Sequence, residues 1–214
     1  RRGFCIEKMC VNNIKVHINF YFLAFIVYVI ISDSTGIILI GVISTFLHEI
    51  GHIAAMLFKN HCVQEIKIGF FHVDIMDNNR QIINYNDDLL ILFAGSAFNF
   101  MTAFVSMVLF YFTHKYTFCL FIYTNLAMGI MNLLPISSLD GGEIVYIILS
   151  NFFTPKTASI LYNIISIIFL MPLSLVGFMV LLNSKYNFSL LFICCYLIYA
   201  LLSKNERIYL HDML

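Results

Sequence analysis

Six long apolar runs limit what this chain can fold into: residues 16–32, 36–58, 89–112, 117–134, 157–182 and 188–202. A helix crosses the hydrocarbon of a bilayer with about 20 apolar residues, over a usual range of about 17–25. The first and last runs are short and depend on snorkelling flanks, whereas the other four are ample. Inside hydrocarbon there is no water to satisfy backbone N–H and C=O groups, so runs of this kind are confined to helices. Composition agrees, with 61% hydrophobic and only 11% charged residues. A soluble domain is nearer half apolar and a quarter charged. The expected fold class is therefore an all-α polytopic membrane protein. Its six transmembrane helices form a single domain over residues 1–214, with the lipid bilayer as solvent.

Basic residues set the expected orientation, because Lys and Arg are retained on the cytoplasmic side. Arg1, Arg2, Lys8 and Lys15 precede the first run, Lys59, Lys67 and Arg80 follow the second, Lys156 follows the fourth, and Lys204 and Arg207 follow the last. The opposite side carries Lys115 and Lys185. Both termini are expected in the cytoplasm. The net charge of zero argues against nucleic acid as a partner. The six cysteines show neither CxxC spacing nor a disulfide framework and read as structural.

The connection between the second and third runs differs from the others. Over residues 62–85, "IKIGFFHVDI" partly alternates, "DNNR" supplies turn residues, and "QIINY" is β-branched and aromatic. A small β-hairpin is expected there, reversing at DNNR.

The second run contains "TFLHEIGHIAAMLF", which sets His48, Glu49 and His52 in a lipid-facing context. Ionisable groups at that depth are penalised by roughly 2.5–3.5 kcal/mol and usually mark a function. Residues four apart share a helix face, so His48 and His52 can point at one metal ion while Glu49 reaches a water beside it. This is the content of H-E-x-x-H: two imidazoles for zinc and a carboxylate as general base. At about 1.5 Å per residue, His52 lies about 9 Å and His48 about 15 Å from the end at Phe58. The site is below the surface yet reachable from the cytoplasm.

A catalytic zinc normally has three protein ligands. The best candidate for the third is Asp140, in "NLLPISSLDGGEI" at residues 132–144. Proline ends the fourth helix there, and paired glycines are expected to let the backbone turn tightly beside a ligand. The orientation expected from the charges puts this break at the same membrane face as His48 and His52.

HEIGH on one span with NLLPISSLDGG on a later one resembles the site-2 protease family of intramembrane zinc metalloproteases, most nearly its sporulation branch. The resemblance implies one zinc ion held by His48, His52 and Asp140, with Glu49 catalytic. It also implies that Asn132 and Asn99 bind substrate; Asn99 stands at the polar family position of "AGSAFN", where Ser96 replaces the family's proline and the small residues suit close helix packing. Two departures stand out. The sporulation branch often carries a soluble regulatory domain after the last span, which this chain is expected to lack, and Glu143 stands where a basic residue is common. A membrane-associated protein substrate, with a pro-sigma factor as the branch's example, and inhibitory membrane-protein partners are further implications. Two rival readings remain open: a membrane prenyl-protein endopeptidase, and a catalytically silent membrane adaptor of the same fold.

Overall fold

The structure, a computed structural model, describes residues 15–18, 27, 31, 33, 35–59, 65–68, 73–76, 84–184, 191, 193–199 and 201. In chain order the elements are β1 (Lys15–Ile18), α1 (Ile37–Phe58), β2 (Glu65–Ile68), β3 (Val73–Met76), α2 (Tyr85–Thr113), α3 (Tyr116–Asn132), α4 (Asp140–Phe152) and α5 (Pro155–Ser184). The chain divides into two compact units, Arg1–Gly129 and Ile130–Leu214.

In the first unit, α1 starts after Gly36, whose φ of 74° suits a residue without Cβ. The Asp33 carboxylate caps this end. Its Oδ1 accepts from the Thr35 and Gly36 backbone N–H groups and the Thr35 hydroxyl, and its Oδ2 accepts from Ile38 and Leu39 N–H. Helix N-termini leave such donors without intrahelical partners, and a negative charge also suits the dipole. At the other end, Lys59 Nζ lies 2.7 Å from Asp87 Oδ1, in the first turn of α2. The cation follows the C-terminus of α1 and the anion opens α2, so each charge suits the helix end it occupies.

The axes of α1 and α2 come close because Gly51 has no side chain. A Cβ there would lie 2.7 Å from the Ala94 carbonyl oxygen and 2.8 Å from Phe98 Cβ. Side chains on the opposite faces, including Phe46, Ile50, Phe104 and Met107, are exposed. That is an apolar surface suited to lipid.

The sheet has the order β1-β2-β3. Strand β1 runs parallel to β2, with Lys15 opposite Glu65 and Ile18 opposite Ile68. Strand β3 is antiparallel to β2, with Glu65 opposite Met76 and Ile68 opposite Val73. The β2–β3 pair therefore reverses between Ile68 and Val73, inside the segment read as one strand, while DNNR lies outside the described residues. Residues 77–83, where the expected second strand begins, lie outside the described residues. The first expected span, from residue 16, is also corrected: Val16–Ile18 belong to β1. "KVHI" can open a span or add to a sheet, and a partner 50 positions downstream selects the strand.

Three described helices are long and apolar enough to cross a membrane: Ile37–Phe58, Tyr85–Thr113 and Pro155–Asn183. They fall on the second, third and fifth expected runs. The fourth corresponds to α3, which has 17 residues. Most of the first and sixth runs lie outside the described residues.

In the second unit, Pro135 follows the end of α3 at Asn132, and a tight turn leads to Asp140. Ile136 and Leu139 N–H donate to Leu134 and Ile136 carbonyls at 2.7 and 3.0 Å. Ile136 is fully buried with Leu170 and Leu197. Ser137 N–H donates to Ser166 Oγ, and Tyr162 OH donates to Ser137 Oγ, each at 2.9 Å. The turn is therefore tied to α5 through both an apolar anchor and a hydrogen-bonded one. Its left-handed residue is Ser138, with φ 84°, and not one of the paired glycines. Gly141 and Gly142 instead occupy the first turn of α4, where Cβ atoms would strike the carbonyl groups of Leu133 and Ile136.

A candidate metal centre

His48 and His52 stand one turn apart on α1, 4% and 7% exposed. Their Nε2 atoms are 3.1 Å apart, and the rings meet edge to face at 86°. Two lone pairs that close repel unless a proton or a cation lies between them. Two zinc–nitrogen bonds of about 2.0–2.1 Å at a tetrahedral angle separate the nitrogens by about 3.3 Å, so the pair fits such an ion.

Helix α2 supplies the seat. His52 Nδ1 is 2.8 Å from the Ile91 carbonyl oxygen, which can only accept. The ring proton is therefore on Nδ1, and the Nε2 lone pair is available to a metal. His48 Nδ1 lies 3.2 Å from the Asn99 side-chain amide. Between these contacts, Gly95 leaves the room the rings use: a Cβ there would fall on His52 Nε2 and within 2.8 Å of His48 Cε1.

A second polar group continues along α1. Ser44, one turn before His48, is 1% exposed and accepts from Asn125 Nδ2 at 3.0 Å, while its hydroxyl also lies 3.2 Å from Thr124 Oγ1. Sequence reasoning passed over Ser44, Thr124 and Asn125. Their signal was available: Ser44 is four residues from His48, and Asn125 puts an amide in an apolar span. The Ile91 carbonyl had no such signal.

The structure thus brings His48, His52 and Asn99 together within one unit, with Glu49 half-buried beside His48 on α1. In the other unit, Asp140 is the first residue of α4 and Asn132 the last of α3, both partly buried.

Residues 113–173 match the sequence profile of Peptidase family M50, a segment that includes Asn132 and Asp140. The fold is also similar to that of a solved site-2 protease from Methanocaldococcus jannaschii. The TM-score is 0.64 at 20% identity, over 92% of this chain and 93% of that one. Among curated proteins no match is found. The comparisons together give a fold similar to that of a solved site-2 protease, in a chain with membrane-length helices and an M50-like segment over residues 113–173.

Proposed function

We propose that this protein is an intramembrane zinc metalloprotease that hydrolyses a peptide bond in or near the membrane-associated segment of a substrate protein. The observation that carries the reading is the 3.1 Å approach of two buried histidine Nε2 atoms on a membrane-length helix, with a glutamate beside them. In this reading His48 and His52 hold one zinc ion together with Asp140, the third ligand that the resemblance implies. Zinc held there would supply Lewis-acid polarisation of the scissile carbonyl and a water acidic enough to attack near neutral pH.

The chain's own groups do the remaining work. Glu49 takes a proton from the attacking water and hands it to the leaving amine nitrogen, so water is consumed and an acid and an amine are released. Asn132 donates a hydrogen bond to the substrate backbone beside the scissile bond. A substrate helix must unwind before attack, because its peptide groups are held in its own ladder. The outer strands β1 and β3 offer edges to which an unwound segment can add.

The resemblance to the sporulation branch, closest to the stage IV sporulation protein FB that processes pro-sigma-K, supports a membrane-tethered pro-sigma factor as substrate and inhibitory membrane proteins as partners. The M50 match over Asp140 favours this scheme over a prenyl-protein endopeptidase.

The test uses purified full-length protein, zinc and a membrane-tethered candidate substrate. Glu49→Gln is expected to keep zinc and lose cleavage by at least about 100-fold, at the lower end of what a general base contributes. Asp140→Ala is expected to lose zinc. Equal cleavage by wild type and Glu49→Gln would remove Glu49 as the base and with it this mechanism.

A further inference from the structure

We propose that Asn99 is a positioning residue for the metal: its amide oxygen accepts a hydrogen bond from His48 Nδ1–H and holds the ring with its Nε2 lone pair turned to the ion. The inference rests on the zinc reading above and adds a role that the position of Asn99 in its motif does not specify.

Asn99 is fully buried. Its Nδ2 lies 3.2 Å from His48 Nδ1, while its Oδ1 is buried with no hydrogen-bond partner among the described residues. In that orientation the amide donates to a His48 Nδ1 lone pair, which puts the ring proton on Nε2, between the two histidines. A histidine that binds a cation through Nε2 must instead carry its proton on Nδ1, and that proton needs an acceptor. A half-turn of the amide exchanges two groups of nearly equal shape. It brings the orphaned oxygen onto Nδ1–H and opens His48 Nε2 to the metal in one movement.

His52 supports the assignment because it already has this arrangement, with the Ile91 carbonyl as acceptor at 2.8 Å. Ile91, Gly95 and Asn99 follow one another at intervals of four and so share one face of α2, about 12 Å long. That face presents an acceptor for one ring, a gap into which both rings fit, and the amide for the other ring. Asn99 is fully buried against the histidine pair, so its amide acts on His48 directly.

The experiment measures zinc affinity by chelator competition on full-length protein in detergent, for wild type, Asn99→Leu and Asn99→Asp. Loss of an outer partner of a ligating histidine typically costs about 10–100-fold in metal affinity. Asn99→Leu, similar in volume but without an acceptor, is expected to weaken zinc by that factor. Asn99→Asp, which keeps an acceptor, is expected to stay within about threefold of wild type. Wild-type affinity in Asn99→Leu, or an equal loss in both variants, would overturn the role. Because Asn99→Leu could fail to fold, ring ¹⁵N spectra of zinc-loaded wild type give an independent reading. They should show His48 protonated on Nδ1 and bound through Nε2, and the reverse would overturn the inference. If wild type binds no zinc, the proposed function falls and this inference with it; if wild type binds zinc and Asn99→Leu binds equally, the positioning role alone falls.

Discussion

A methyl group at position 95 would land on the imidazoles of His52 and His48. Gly95→Ala therefore pits one extra carbon against two rings and a helix interface, and overpacking of this kind costs about 1–3 kcal/mol. The variant should unfold at a lower temperature and bind zinc more weakly, measured by thermal denaturation and chelator competition; unchanged values would mean that α1 and α2 can separate freely. The neighbouring Ser96 gives the opposite sign. Its Oγ is buried without a hydrogen-bond partner among the described residues, and such a group costs about 1–3 kcal/mol. Ser96→Ala should be neutral or stabilising in the same melt, and a clear loss of stability would show that the hydroxyl is bonded. At this scale the histidine pair was legible because helical spacing alone places residues four apart on one face. The acceptor for His52 was not, because a backbone carbonyl carries no residue identity and only the packing of α2 selects Ile91.

Helix limits follow local chemistry closely. The run expected at 36–58 is observed as Ile37–Phe58, stopped in front by a left-handed glycine and an aspartate cap. That cap titrates. Partial burial works against the ionised form of Asp33, but hydrogen bonds from Thr35, Ile38 and Leu39 outweigh it and bring its pKa from 3.8 to about 2. A lowered folded-state value means that the cap's contribution is complete above about pH 3.8 and is lost as the pH falls through about 2. Amide exchange over residues 36–40 should therefore speed up, beyond its intrinsic pH dependence, between pH 4 and pH 2, and Asp33→Asn should flatten that change. An equal pH response in both proteins would rule out the carboxylate as its source. Elements set by distant partners were harder to read. The strand character of Lys15–Ile18 depends on a parallel pairing across 50 residues. In the other unit, a search for tight-turn glycines pointed to Gly141 and Gly142, yet the left-handed residue is Ser138. The glycines are needed because the first turn of α4 presses on preceding carbonyls, a contact absent from any local pattern.

For the molecule as a whole, the apolar faces of α1, α2 and α5 define its relation to lipid. Large side chains such as Phe104, Met171 and Leu175 point outward, and lipid is the solvent that leaves them at no cost. The distribution of Lys and Arg predicts that both termini lie in the cytoplasm. Reporter fusions at each end, or labelling of single cysteines from either side, should give the same cytoplasmic result, and opposite results would require an odd number of crossings. The sequence by itself determined the solvent, the helical class, the spacing of His48, Glu49 and His52, and the candidacy of Asp140, because hydropathy and helical periodicity are local properties of the chain. Only tertiary structure decided that α2 cradles the histidines with the Ile91 carbonyl, the Gly95 gap and the Asn99 amide, and that Ile136 and Ser137 anchor the turn before Asp140. Those choices depend on which surfaces meet, and packing contacts between distant segments leave no periodic trace in the order of residues.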